Sequence, residues 1–204
     1  MKLGNYVANS GMSNYYLEQA KNNQSKALNN ITAQRALSGV DSANLAIADS
    51  LRSQSSSLEQ GIANANDAIA VLQIANGTLA NVTQSADRIN ELSVRMNGGI
   101  LNNDQKRMIG SEADALVNSM RDSIKQASFN GKDVFNGEMT FLTGNGMQSI
   151  SLSTPNFNGI DVNDQKSITD FIGNVNSLRG EIGAAQNGIL SGINASLAKN
   201  VALR

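Results

Sequence analysis

The sequence predicts a mainly α fold, in which an elongated bundle of long antiparallel helices carries a small β-hairpin region. Apolar residues keep a seven-residue repeat for about fifty positions across 45–96, and a similar repeat returns after residue 167. Between these stretches, residues 133–162 change to the alternating period of β-strands. A narrow apolar seam cannot be buried by one helix alone. The long helices therefore need helical neighbours, in this chain or in other copies, which indicates assembly rather than catalysis.

The predicted core is the seam of apolar side chains that follows this repeat along three helices. Its larger members are Leu51, Leu58, Ile62, Ile69, Leu72, Leu79, Val82, Ile89, Leu116, Met120, Ile168, Phe171, Val175, Leu178 and Ile182. Alanines at intervening seam positions allow close approach of the helices, so the core is expected to be thin and rod-like.

Local signals set the predicted helix ends. Asp41 or Ser42 is a suitable N-cap for the first long helix, and residues 97–99 (Asn-Gly-Gly) end it. Asn102, with a glutamine three residues later, predicts a capping box for a shorter second helix. Asn-Gly at 130–131 is expected to end that helix.

The remaining segment is predicted as a β-hairpin at about 133–162, followed by a helix. Gly-Asn-Gly at 144–146 is a tight-turn sequence, and Pro155 closes the region. Ser167 is the expected N-cap of the last helix, with Asp170 at its third position.

The chain divides into two predicted units. Residues 1–40 are polar and only loosely helical in period, so they are expected to form a separate terminal segment that is disordered in an isolated monomer. Residues 41–204 form the helical rod domain with its hairpin.

Composition excludes several classes of function. The 204 residues carry a formal net charge of −1, which argues against a nucleic-acid binder. Cysteine and histidine are absent, which removes thiolate zinc sites and nucleophiles activated by an imidazole. We therefore expect no enzyme, no metal and no cofactor. No apolar run is long enough to insert into a membrane, and the start lacks the apolar core of a secretory signal.

Five segments, in order, resemble those of bacterial flagellins. They are Ala43–Ala48, Asn64–Ile69 (NANDAI), Arg88–Val94, Phe129–Lys132 (FNGK) and Leu178–Asn187. The shortened segment Ser38–Asn44 is similar to that of the short secreted flagellin-like proteins of Campylobacter and its relatives.

The resemblance implies the helical rod of a flagellin D1 domain and a structural subunit of the flagellar filament. Implied partners are other flagellin subunits, the flagellar type III export apparatus and its chaperone, and the implied location is extracellular. Only about 136–163 separates the two matching halves, so no outer decoration domain is expected. The likeness stops at Arg204, where flagellins continue their terminal coiled coil. The chain is therefore either a trimmed or a divergent family member, and this form is expected to stay monomeric.

Three residues carry a sharper expectation from the resemblance. Arg88, Leu92 and Glu112 fall where flagellins of other bacteria contact the innate immune receptor Toll-like receptor 5. Arg88 and Leu92 lie one helical turn apart, so both are expected on one exposed face. Asn90 replaces a basic residue of that stretch, which weakens the expected binding. The alternative is that this face packs against a neighbouring subunit.

Two other functions stay open at this point. One is a secreted protein that uses the same fold to engage host cells without building a filament. The other is a hook–filament junction protein, although the NANDAI and FNGK segments favour flagellin.

Overall fold

A computed structural model describes residues 18–19, 21–31, 42–144 and 146–203. Helix α1 is described at residues 21–31. The other elements are helices α2 (Ser42–Met96) and α3 (Asn103–Gln126), strands β1 (Ser128–Phe129), β2 (Lys132–Asp133), β3 (Gly137–Thr143) and β4 (Gly146–Leu152), and helix α4 (Gln165–Ala202).

The long helix α2 forms the spine of the rod. At 1.5 Å per residue, its 55 residues span about 80 Å. It ends at Met96, directly before the predicted stop at 97–99, where Gly99 takes a φ of 74°. The helix begins at Ser42, and the predicted N-cap, Asp41 or Ser42, stays a prediction because Asp41 lies outside the described residues.

Helix α3 starts as predicted but ends early. Asn102 Oδ1 accepts from the Gln105 backbone N–H at 2.8 Å, and Gln105 Oε1 accepts from the Asn102 N–H at 3.0 Å. The expected end at Asn130-Gly131 is wrong, because the helix stops at Gln126. Asn130 and Gly131, with φ of 50° and 75°, instead form the two-residue turn between β1 and β2. Positive φ at both central residues is what a type I′ hairpin turn requires.

The predicted hairpin is present, and its described strands are shorter than the predicted segment. Strands β3 and β4 pair antiparallel from Gly137↔Leu152 to Thr143↔Gly146. The turn lies where Gly144-Asn145-Gly146 predicted it, although Asn145 itself lies outside the described residues. Thr143 Oγ1 donates to the Gly146 carbonyl at 2.7 Å and helps to close the turn.

The N-cap of helix α4 lies three residues before the predicted cap. It is Asp164, whose side chain accepts from the Lys166 N–H at 3.0 Å, so the prediction of Ser167 as cap is wrong. Ser167 lies in the first turn, where its hydroxyl donates to the Asp164 carbonyl at 2.7 Å. Asp170 accepts from the Lys166 ammonium instead of completing a capping box.

The three long helices pack antiparallel to their neighbours. Arg179 Nε of α4 donates to Asn76 Oδ1 of α2 at 3.0 Å. Ser55, closer to the start of α2, lies beside Asn200, close to the end of α4, so the two helices run in opposite directions. Helix α3 folds back beside the C-terminal part of α2. The mainly α antiparallel bundle with a small β region is therefore confirmed.

The structure buries most of the predicted seam. Leu58, Leu72, Leu79, Val82, Ile89, Met120, Ile168, Phe171, Val175 and Ile182 are buried. Ile69, Leu116 and Leu178 are half-buried and pack against this core. Leu51 and Ile62 are also only half-buried. The core is therefore densest in the part of α2 that faces both α3 and α4.

Most of the predicted terminal segment 1–40 lies outside the described residues. Within it, α1 is helical, in agreement with its apolar spacing, and Gln24 Nε2 donates to Glu59 Oε2 of α2 at 2.7 Å. The boundary near residue 40 and the disorder of the isolated segment stay predictions.

Candidate interaction surfaces

An exposed ionic cluster joins α2 to α3. Arg88 Nη2 lies 3.0 Å from Glu112 Oε1 across the helix pair, and Arg88 Nη1 lies 2.9 Å from Glu91 Oε2 on its own helix. Arg88 Nε also donates to Glu112 Oε1, at 3.2 Å. The planar guanidinium can hold two carboxylates at once because its N–H groups point along a fixed fork. Two of the three predicted receptor-contact residues are therefore together on the surface.

The two carboxylates raise the pKa of Arg88 above its ordinary value. The hydrogen bond to Glu91 has the largest effect, followed by the hydrogen bond and charge of Glu112. The direction follows because both acceptors favour the protonated guanidinium. An arginine is charged at physiological pH even without this shift, and the cluster presents one cation held between two carboxylates.

The third predicted contact residue lies elsewhere. Leu92 is only 1% exposed and belongs to the hydrophobic core, so the expectation that it shares an exposed face with Arg88 is wrong. Leu92 stands three positions after Ile89 and four before Met96, both buried, which places it on the apolar seam. That 3-4 spacing was the sequence signal that indicated its burial. In this monomer, only Arg88 and Glu112 of the three can reach a partner.

Apolar side chains are exposed at the end of the rod where α2 turns into α3. Ile100 in the connecting loop is 94% exposed, and Val94 and Met108 on the flanking helices are also exposed. We call these three residues the loop patch. An isolated exposed apolar residue is ordinary, whereas three large exposed apolar side chains within one helix–loop–helix segment make that segment a candidate contact site.

A second group of exposed apolar side chains lies at the tip of the β3–β4 hairpin. Met147 is 75% exposed, and Leu142 opposite it is exposed as well. We call this pair the tip patch. The two residues form the second cross-strand pair from the turn, after Thr143 and Gly146, so the register that the turn sets decides which way they face.

The tip patch lies far from the loop patch along α2. Asn64 Nδ2 donates to the Leu142 carbonyl at 2.7 Å, which fixes the hairpin tip beside the first half of the helix. Thirty residues separate Asn64 from Val94, so the two patches are about 45 Å apart along the helix axis. One rod therefore offers two different apolar patches at two separate heights.

The described residues offer little for catalysis. In these ranges, no cluster of three carboxylate, histidine or cysteine side chains could hold a metal ion. A cavity of about 420 Å³ lies at the end of α3, between Arg121, Phe135 and Phe157. Among the described residues, none of the helices is both long and apolar enough to cross a membrane.

Comparison with known proteins identifies the class. Residues 5–140 match the model of the bacterial flagellin N-terminal helical region. The chain is 53% identical over 188 residues to secreted flagellin C of Campylobacter jejuni, covering 92% of this chain and 75% of that protein. It is 32% identical over 106 residues to a flagellar filament core protein of Treponema maltophilum, covering 52% of this chain and 37% of that protein.

A solved structure agrees with the fold. Bacillus cereus flagellin superposes with a TM-score of 0.51 at 14% identity, covering 69% of this chain and 87% of that one. The described part of the rod carries two separate exposed apolar patches. The chain belongs to the bacterial flagellin family. It is an extracellular structural protein that assembles with other flagellin subunits, and the predicted resemblance is confirmed.

Proposed function

We propose that this chain is a rod-shaped subunit that associates head to tail with other flagellin subunits, through the loop patch of one copy and the tip patch of the next. The supporting observation is the presence of two unlike exposed apolar patches on one rod, about 45 Å apart. A contact between unlike patches is heterologous, and a heterologous contact that does not close into a ring extends into a filament.

The physical drive for this contact is burial of apolar surface. Fully burying a side chain such as Ile100 or Met147 contributes about 1.5–3 kcal/mol each, which association entropy largely offsets for a single pair of molecules. Each contact is therefore weak alone. Each subunit added to a head-to-tail chain gains one such contact, so the length of the assembly is expected to rise with protein concentration.

Self-association measured by sedimentation velocity tests this proposal. The wild-type protein is expected to show an average mass that rises with concentration. This expectation replaces the sequence-based expectation of a monomer, because the exposed loop and tip patches supply a contact that the sequence did not indicate. Ile100→Asp and Leu142→Asp each place a charge in one patch. Each is expected to move the rise in average mass to protein concentrations at least tenfold higher. Asp114→Asn, on the exposed surface of α3, is the matched control and should associate as the wild type does. A wild type that stays monomeric at every concentration would contradict the proposal.

The family supports two further partners. We propose that the chain leaves the cell through the flagellar export apparatus with a chaperone, and that residues 1–40 carry the export and terminal coiled-coil function. Deleting the first 20 residues should then abolish secretion while leaving the cytoplasmic level of the protein measurable. Secretion of the deleted form at the wild-type rate would contradict this assignment. The proposed role is structural and involves no catalysis.

A second candidate function is recognition by Toll-like receptor 5 outside the filament. Its support is the exposed Arg88–Glu112 pair, together with the similarity to a Campylobacter jejuni protein named as a secreted flagellin. Arg88→Ala and Glu112→Lys should lower signalling in receptor-reporter cells, whereas Arg107→Ala, which removes another exposed ion pair of α3, should not. Equal signalling by the wild type and all three variants would exclude this site.

A further inference from the structure

The tip of the β3–β4 hairpin lies unusually close to the helices beneath it. A Cβ added to Gly61 of α2 would stand only 2.1 Å from the backbone N of Gly144 and 2.6 Å from its Cα. A Cβ added to Gly144 would in turn stand 2.6 Å from Ser196 Oγ of α4. Three elements therefore meet at a point where each contributes a glycine or a serine.

Gly61 and Ser196 each fill a position where a larger side chain would fit the local pattern better. Gly61 is buried inside a long helix, where glycine is less favourable than alanine by roughly 0.5–1 kcal/mol. Ser196 is buried on a face of α4 that otherwise carries apolar residues such as Ile182 and Ile189. Helix stability and core burial do not explain either choice, but the close approach of the hairpin tip explains both.

Gly77 shows that the glycine at 61 has a specific reason. Both lie in α2, and a Cβ on Gly77 would meet nothing within 4 Å. The same helix thus contains one glycine that the packing requires and one that it does not require. This pair provides a matched comparison within a single element.

We infer that Gly61, Gly144 and Ser196 form a seat that positions the hairpin tip, so that Leu142 and Met147 face outward for contact with a second copy of this chain. The inference rests on the proposed function and adds the residues that hold the contact surface in place. The Asn64–Leu142 hydrogen bond of 2.7 Å lies beside the seat and fixes the same strand end. The seat residues act through the tip patch and do not themselves touch the partner.

Substitution at Gly61 should lift the tip without disturbing the rod. In Gly61→Ala, the Gly144 backbone must retreat by more than ~1 Å to restore ordinary contact distances. We expect hydrogen exchange of β3 and β4 amides to become at least tenfold faster and self-association to weaken at least tenfold, with unchanged helical circular dichroism. Gly77→Ala should leave both exchange and association at wild-type values.

Substitutions at Ser196 test the same seat independently, from helix α4 instead of α2. Ser196→Leu pushes on Gly144 from α4 and should reproduce the Gly61→Ala result, including in the case that Gly61→Ala fails to fold. Ser196→Ala removes only the hydroxyl and should keep the wild-type exchange and association. Wild-type exchange in both Gly61→Ala and Ser196→Leu would overturn the seat.

The same experiments distinguish failure of the seat from failure of the proposed function. If Leu142→Asp weakens association but Gly61→Ala accelerates exchange without changing association, the positioning role is overturned and the proposed function stands. If Leu142→Asp leaves association unchanged, the proposed function fails, and the role of the seat in presenting the tip to a second copy fails with it. Accelerated exchange in Gly61→Ala would then still support the local seat.

Discussion

Ser55 Oγ on α2 lies 3.1 Å from Asn200 Oδ1 on α4, joining residues 145 positions apart. Asn200 is buried where the two helices meet, and Ser55 also donates toward Glu59 at 3.2 Å. A buried polar pair between two helices is satisfied in one alignment of the helices only. We therefore expect this pair to fix the register of α2 against α4.

Removing either partner of this pair should destabilise the rod by a modest amount. Asn200→Ala and Ser55→Ala are each expected to lower the free energy of unfolding by about 0.5–1.5 kcal/mol, measured by urea denaturation. The double variant should lose less than the sum, because both single changes remove the same contact. Lys199→Ala, on the exposed face next to Asn200, is the control. Strictly additive losses would show that the two side chains do not interact.

The seam of α2 should form the stability core. Leu72 is fully buried, and Leu72→Asp places an unpaired charge there, with an expected loss of about 3–5 kcal/mol in the free energy of unfolding. Gln73→Asp, at the next and exposed position, introduces the same charge into water and should change the melting temperature little. Thermal unfolding followed by circular dichroism compares them, and equal melting temperatures would refute the placement of the seam.

The capping box at the start of α3 should contribute measurably to stability. Asn102→Ala removes the acceptor for the Gln105 N–H and is expected to lower the free energy of unfolding by about 0.5–2 kcal/mol. Asn103→Ala, one position inside the helix, keeps both capping bonds and serves as the control. Urea denaturation of the two variants decides the point, and a loss in Asn103→Ala as large as in Asn102→Ala would contradict it.

The parts of the fold that the sequence predicted correctly depend on neighbouring residues. Asn102 and Gln105 are three positions apart, and the Gly-Asn-Gly turn at 144–146 joins two adjacent strands. The errors also have local causes. Asn130-Gly131 is a signal both for a helix end and for a type I′ turn, and the structure uses it for the turn. Ser167 and Asp164 can both cap a helix, and the earlier residue does so here.

The candidate contact sites were harder to predict because they depend on distant packing. Nothing near Gly61 in the sequence indicates that Gly144, 83 positions later, lies on top of it. The exposure of Ile100 and Met147 likewise follows from how the loop and the hairpin dock, while their apolar character alone predicts burial. Leu92 was misassigned in the opposite sense. It was expected on the surface because Arg88 lies one helical turn before it, although the spacing of Leu92 from Ile89 and Met96 places it on the buried seam.

The central claim is the head-to-tail contact between the loop patch and the tip patch, and cysteine cross-linking tests it directly. The chain contains no cysteine, so Ile100→Cys and Met147→Cys each carry a single reactive thiol. When the two variants are mixed with a short bismaleimide, dimers cross-linked between positions 100 and 147 should form. Their yield should be at least five times the dimer yield of either variant alone. Asp114→Cys mixed with Met147→Cys supplies the background. Equal yields in all mixtures would contradict the account.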